Sequence, residues 1–562
     1  MGKIKEIYKR INKNVLGILI CGAIGAIIFL LIYGIDKIDV TNEKWLLTGG
    51  DLQQHYLGWK FFRSSPWQFP IGEMSNINYP FHASVIFTDS IPLFAIIFKV
   101  LSPILPETFQ YFGIYGIIAF TLQGIFSYLL IHRFVDNKKY CIIGSIFFIV
   151  SPVVLQRMYG HTALAGHFII LMALCLWVYN NKLSKKIKLK STLWILLCLL
   201  AVTVHLYFLP MVLIIMTITF INDFIKDKST LLKSILILLL SCLLSVITIY
   251  ALGGFPSENL GYTSGGVGYF SSNLNTFCNP TNVKDSILSN KAIFGGQEEG
   301  FGYLGFGILS LLGILIYNFF SNKGKIDKIK NEYSITSIIL IVISIIIATA
   351  LNFTLDDKTI LNIKLPTIIV KIISIFRSTG RFIWTADYIF MMVALVSFYK
   401  YWNNKTKKGN YILYMFIVMC LCIQIFDLRN YLTAKHNDFQ KYKQEENIIS
   451  NEYVSIFSKY EHVIFLPASN VISKMEKMYY FANIAIESKC TINNFYFARS
   501  YEDTLNYSDE TINELCEGKT KDNSIYVIID EELTQKLQEK NQNLFYYTIN
   551  ETTVAFPQPV NI

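Results

Sequence analysis

Apolar runs close to the roughly 20 residues that an α-helix needs to cross a hydrocarbon layer recur along most of this chain, beginning near Val15, Phe109, Cys141, Ala163, Thr192, Leu206, Lys233, Tyr303, Ser334, Phe382 and Tyr411. They predict about eleven transmembrane helices, and the connections between them are mostly short. Three are long: 36–107, 253–302 and 352–381. After Asp427 the pattern changes. Strand-like runs at 462–466, 525–529 and 552–556 alternate with helix-period stretches at 439–459 and 531–540, which predicts a small α/β domain over residues 428–562. The expected fold is therefore mainly α: a polytopic membrane domain over residues 1–427 followed by that α/β domain.

Composition agrees with the pattern. Of 562 residues 53% are hydrophobic and only 16% charged, with a mean hydropathy of +0.41, which excludes an ordinary soluble protein of this length. The net charge of +10 is a matter of topology. The segments 1–14, 133–139, 182–190, 226–233, 323–330 and 400–408 hold 24 of the 50 lysines and arginines, with six acids in or beside them (Glu6, Asp136, Asp223, Asp227, Asp327 and Glu332). They mark every second connection as cytoplasmic, so the N-terminus is expected in the cytoplasm. An odd number of spans then puts the three long loops and the α/β domain outside. No nucleic-acid partner is implied; the lipid bilayer is.

The first span has no small-residue cleavage site after it and is expected to remain as an anchor. The stretch 90–105 breaks the parity and carries Lys99 at its centre, so it is expected to lie at the interface or re-enter rather than cross. Most of the ten cysteines fall inside spans, where a thiol is a small apolar filler. Cys490 and Cys516 in the α/β domain can pair or stay free.

With short cytoplasmic connections, chemistry must use the long loops. The first loop begins Thr48-Gly49-Gly50-Asp51-Leu52-Gln53-Gln54-His55. If Asp51 opens a helix there, Asp51, Gln54 and His55 share a face, and the carboxylate is placed to act as a general base or hold a divalent metal. The plain alternative is an N-cap with a solvated histidine. The aromatic residues from Trp59 to Phe81 are expected to form a platform at headgroup depth or a surface on which a sugar ring or isoprenoid can rest. Asp89 is a second carboxylate for the site or the N-cap of the next helix.

Arg157 and His161 stand where one span turns into the next on the side on which basic residues are least expected, in competition with snorkelling to headgroups. His167 and His205 fit packed histidines better than ligands. The loop 253–302 has the length and Gly, Ser and Asn content of a lid, and Glu299 near its end either meets the site or stays exposed. Arg377 and Arg381, four residues apart, would share a helix face and receive a phosphate or diphosphate by paired hydrogen bonds; headgroup anchoring is the alternative.

The motifs Gly50-Asp51-Leu52-Gln53-Gln54-His55, Ser65-Pro66-Trp67-Gln68-Phe69-Pro70, Thr88-Asp89-Ser90-Ile91-Pro92, Gly160-His161-Thr162-Ala163, Glu299-Gly300-Phe301-Gly302-Tyr303 and Phe376-Arg377-Ser378-Thr379-Gly380-Arg381 resemble those of GT-C superfamily glycosyltransferases, and within them a bacterial membrane family. The resemblance spans the membrane region and leaves the tail uncovered. It implies transfer of a sugar from a polyprenyl-phosphate donor to a cell-envelope glycan or lipid acceptor on the outer face of the cell membrane. Asp51, and less directly Asp89, would be the catalytic acids. His55, Arg157, His161, Glu299, Arg377 and Arg381 would bind substrate, the two last neutralising the lipid phosphate. Many such enzymes carry two adjacent acids where this chain has Asp51 followed by Leu52, so a divalent metal is an option rather than a requirement, and no other cofactor is implied. The rival readings are a transporter or flippase of a lipid-linked saccharide and a non-catalytic envelope assembly protein.

Overall fold

The computed structural model describes residues 2–255, 268–321, 333–364, 366–373, 375–403, 407–444, 450–497 and 502–561. The basic segment 323–330, part of 400–408 and residues 256–267 of the second long loop thus lie outside the described residues. Most of the chain is helical. Among the described residues eight helices are long and apolar enough to cross a membrane: Val15–Tyr33, Phe112–His132, Lys138–Arg157, Ile187–Val204, Phe208–Lys226, Lys228–Ala251, Thr379–Trp402 and Tyr411–Asp438. Three shorter apolar helices, Thr162–Val178, Phe306–Asn318 and Ser334–Ala348, stand among them. The protein is a polytopic membrane protein.

Apolar side chains surround these helices, because their partners are lipid on one side and other helices on the other. Thr379–Trp402 is the most enclosed, with 83% of its most apolar window buried, and Lys228–Ala251 the least, with 17%. The first is therefore an interior helix and the second a peripheral one. Helix 90–105 is shorter than its apolar run: Pro92 opens a helix, Pro92–Val100, that ends after nine residues and cannot span a bilayer. Lys99 is nonetheless buried, its ammonium 4.1 Å from the Phe62 ring centre and 4.5 Å from that of Trp67, so the charge is held by aromatic faces.

Among the described residues nine strands form three sheets. Strands β1 (Glu73–Met74) and β2 (Ala83–Ser84) make a small hairpin in the first long loop, and β3 (Asn352–Leu355) and β4 (Lys358–Asn362) another in the third. The remaining five, β5 (His462–Leu466), β6 (Thr491–Ile492), β7 (Ser524–Ile528), β8 (Phe545–Ile549) and β9 (Thr552–Phe556), build one sheet in the order β6-β5-β7-β9-β8. Its first three strands are parallel, and β9 joins β7 and β8 antiparallel. Both faces of the central strands are apolar and buried: Val463, Ile464, Phe465 and Leu466 in β5, Ile525, Tyr526, Val527 and Ile528 in β7. Continuous apolar runs rather than alternation are what a sheet covered on both sides requires. All ten cysteines are free, Cys490 and Cys516 included.

The sheet is tied to the first long loop. Ile77 bridges Ile492 of β6 in parallel, with Ile492 N–H donating to Asn76 O (3.1 Å) and Tyr79 N–H to Ile492 O (2.9 Å). The loop thus covers the sheet edge that β6 would leave unpaired. Tyr79 stacks on His462 at 3.8 Å between ring centres, and Lys60 donates to Glu487 at 2.6 Å. These contacts hold the α/β domain over the end of the bundle at which the long loops meet.

Candidate active site

The first loop folds into helix Gly50–Ser64, capped by Gly49, whose N–H donates to the Gln53 side chain at 3.0 Å. Asp51 is therefore not the cap and its carboxylate is free to face the bundle. Because side chains at i, i+3 and i+4 share a helix face, Asp51, Gln54 and His55 all turn inward. Asp51 Oδ2 lies 3.4 Å from His161 Nδ1, Gln54 donates to Tyr496 O of the α/β domain, and His55 Nδ1 lies 3.3 Å from the Thr162 hydroxyl.

Asp89 is likewise not the N-cap of the next helix; it closes the 3-10 turn Val85–Thr88 instead. It sits in left-handed backbone, and helix Pro92–Val100 is preceded by Ile91 with no side-chain cap. Its carboxylate instead meets His205 Nε2 at 3.3 Å. His205, at the turn between Ile187–Val204 and Phe208–Lys226, is thereby part of the cluster rather than a packing residue. The sequence offered no periodic signal for it, because the pairing spans two loops.

Glu299 is the centre of the arginine half. Arg157 approaches its carboxylate at 3.2 and 3.4 Å and donates to its backbone carbonyl at 3.1 Å. Arg381 Nε donates to Oε2 at 2.8 Å, and His161 Nε2 lies 3.7 Å away. Two arginines on one carboxylate leave an excess of positive charge here. A continuous path runs from Asp51 through His161 to Glu299 and on to both guanidiniums.

The expectation that Arg377 and Arg381 share a helix face is corrected. Arg377 lies in a bend and Arg381 in the 3-10 turn Thr379–Phe382, because the local N–H groups have partners elsewhere. Ser378 N–H donates to the Tyr207 hydroxyl (2.7 Å) and Gly380 N–H to Phe270 O (2.9 Å). The Arg381 guanidinium lies 4.6 Å above Tyr207, that of Arg377 4.5 Å above Phe270. Only Arg381 joins the Glu299 cluster. Gly380 permits the meeting: a Cβ there would fall 2.6 Å from the Cα of Gly300, so a larger residue would push the Glu299 turn away from Arg381.

These surroundings set the charge states outside the spans. Burial pushes the Asp51 carboxyl above its ordinary range; His161 opposes this, while Asp89 and Glu299 add to it. Burial lowers the His55 imidazole to about 3, so it is neutral. Burial alone would raise Asp89, yet His205, by its charge and its hydrogen bond, holds it well below the usual carboxylate range, with His161 adding to the effect. Burial would raise Glu299 too, but Arg381 and Arg157 outweigh it and keep it ionised. One carboxyl poised to take a proton thus stands beside two held as anions, the separation of roles that acid–base chemistry uses.

Side-chain atoms of His55, Asp89 and His161 lie within 4.8 Å of one another, and His55 Nε2 is buried without a hydrogen-bond partner. Two imidazoles and a carboxylate are a donor set for a borderline divalent ion such as Zn²⁺ or Mn²⁺, and His205 behind Asp89 would orient that ligand. Asp51 is not in this triad. His167 stays outside the cluster, its Nδ1 2.8 Å from the Tyr388 hydroxyl.

Over residues 22–429 the chain matches the family described as "Domain of unknown function (DUF6311)", and over residues 452–557 the one described as "DUF6311 C-terminal domain". No curated protein matches it. Among solved structures it resembles the Archaeoglobus fulgidus oligosaccharyltransferase tethered with an acceptor peptide containing the NVT sequon via a disulfide bond, at 11% identity and a TM-score of 0.43 over 96% of this chain and 74% of that one. The apo form of that enzyme matches at 10% identity and 0.42 over the same shares.

Proposed function

From the premise that this chain belongs to the DUF6311 family, we propose that it is a membrane glycosyltransferase that moves a sugar from a polyprenyl-phosphate donor to a glycan or lipid acceptor of the cell envelope. The observation that carries the reading is the convergence of Asp51, Asp89, His161, Glu299, Arg157 and Arg381, from five separate stretches of sequence, at one end of the helix bundle.

In the reaction, Asp51 takes the proton of an acceptor hydroxyl as that oxygen bonds to the anomeric carbon. The bond from that carbon to the phosphate oxygen breaks on the opposite face, inverting the centre. The departing polyprenyl phosphate carries the charge to the Arg381 and Arg157 side of the cluster, with Arg377 close by on the same loop. Glu299 holds the two guanidiniums in place, and His161 couples them to the base. A divalent ion on His55, Asp89 and His161 would supply further positive charge.

The three shorter apolar helices support an eleven-span reading, and the basic connections favour an orientation with the site, the long loops and the domain 428–562 on the outer face of a cell membrane. Purified protein in nanodiscs given radiolabelled polyprenyl-phosphate sugars and envelope extract should pass label to a new product, and Asp51→Asn should abolish this with the protein still folded. Label that stays on the lipid with every donor, or full activity in Asp51→Asn, would remove the proposal and leave a transporter or assembly protein.

A further inference from the structure

A recess opens beside Asp51. It has a volume of about 300 Å³ and is walled by Trp45, Tyr159, Phe439 and Tyr442, with the Asp51 and Asp438 carboxylates and the bare backbone of Gly49 and Gly50 completing it. Of the charged cluster described above only Asp51 lines it; His161, Glu299 and the arginines do not. A volume of that size is at the small end of ligand pockets, room for one ring rather than for a lipid or an oligosaccharide.

The lining selects the kind of ring. Among the described residues its two charged lining members are acids; Lys441 pairs with Asp438 at 2.6 Å and Lys37 lies behind the Tyr442 ring, 4.5 Å from its centre, so the carboxylate of Asp51 is what disfavours a phosphate inside the recess. Carboxylates accept hydrogen bonds from hydroxyl groups and aromatic walls meet the apolar faces of a ring. The Trp45 side chain packs edge-on against Tyr159, 4.8 Å between ring centres, so two of the aromatic walls are held in place by each other. Gly49 and Gly50 have φ of +93° and +61°, and a Cβ on either would meet nothing within 4 Å. The glycines serve the backbone turn, and among the described residues nothing comes within 4 Å of where their side chains would stand.

We propose that this recess is the subsite for one neutral pyranose unit of the acceptor. The sugar would present a hydroxyl to Asp51 from a recess that His161, Glu299 and the arginines do not line, so that acceptor and donor phosphate meet at Asp51 without sharing a pocket. The catalytic part of this statement rests on the glycosyl-transfer reading; the binding part does not.

The test uses the full chain in nanodiscs and saturation-transfer NMR with methyl glucopyranoside, galactopyranoside, mannopyranoside and N-acetylglucosaminide, and glucose 1-phosphate as the charged probe. At least one neutral glycoside should receive saturation and glucose 1-phosphate should not. Thr48→Trp, at an exposed position on the rim, should abolish the signal by filling the mouth. Asp438→Asn, which keeps the shape and removes one acceptor, should weaken binding about tenfold. No saturation by any neutral glycoside, or a signal that survives Thr48→Trp, overturns the subsite. Binding that behaves as expected while no donor sugar is ever transferred upholds the subsite and sinks the enzyme. Transfer whose acceptor KM is untouched by Thr48→Trp does the reverse.

Discussion

The helix pair Ile187–Val204 and Phe208–Lys226 carries a buried charge cluster at each end, and the two are built differently. At one end Lys190 pairs with Asp223, and Asn180 donates to the other oxygen of that carboxylate at 2.6 Å. Both charged residues are buried, Lys190 3% and Asp223 8% exposed, and each charge is answered by one opposite charge. That is a closed pair, which fixes the helices and does no more. At the other end His205 enters a cluster in which three carboxylates, three histidines and two arginines meet without matching one to one. His55 Nε2 and Arg157 Nε are buried there without partners. An open cluster leaves donors and charge for something that is not protein, and clusters of perturbed groups of this kind gather at functional sites.

Removing Asp51 gives the widest separation between the two ends. Asp51→Asn should lower transfer by about 100- to 10,000-fold, the usual worth of a general base, with no change in thermal midpoint; a rate measured with radiolabelled donor decides it. At the closed end the signs exchange. Asp223→Asn strands the Lys190 ammonium and should destabilise the protein by about 3–5 kcal/mol, read as a lower midpoint in detergent, while transfer per folded molecule stays unchanged. Equal effects of both substitutions on activity would erase the distinction.

The open end should also answer to ions. If His55, Asp89 and His161 bind a divalent metal, Mn²⁺ or Zn²⁺ at a hundredfold excess over Kd should stabilise the fold by about 2.7 kcal/mol. His55→Gln should remove that shift, and Lys190→Met at the closed end should not. Within the arginine half, Arg381→Lys keeps the charge and loses the Nε donor to Glu299; about a tenfold rise in donor KM is expected for one charge-assisted hydrogen bond. Arg377→Lys, without a carboxylate to hold, should change it less.

How much of this was readable beforehand follows from the range of the interactions. The membrane helices come from local hydropathy, and the strands His462–Leu466 and Thr552–Phe556 from apolar runs of strand length. The shared face of Asp51, Gln54 and His55 is a matter of helical period, so it too could be seen. Glu299 could not: it looked as well suited to solvent as to a site, and its burial is created by Arg157 and Arg381, which stand 142 and 82 residues away. His205 was taken for a packed residue for the same reason, its partner being Asp89 on another loop. The four-residue spacing of Arg377 and Arg381 misled because hydrogen bonds to Tyr207 and Phe270 replace the helical ones. The predicted helix at 439–459 is broken, among the described residues, into the 3-10 turn Lys441–Gln444 and the short helix Asn451–Phe457.

A third buried charge sharpens the comparison from the other side. Asp387 lies in Thr379–Trp402, is 1% exposed, and neither of its carboxylate oxygens has a hydrogen-bond partner. It belongs to neither cluster; a Cβ on Gly302 would come within 3.1 Å of its Oδ1. An unpaired buried polar group costs stability that an apolar side chain restores, provided the volume fits. Asp387→Leu should therefore raise the unfolding free energy by about 1 kcal/mol and leave transfer untouched, measured as a higher midpoint in detergent with the rate per folded molecule unchanged. A loss of transfer in this variant would mean that the carboxyl is paired during turnover, and the open cluster would then extend into the bundle as far as Asp387.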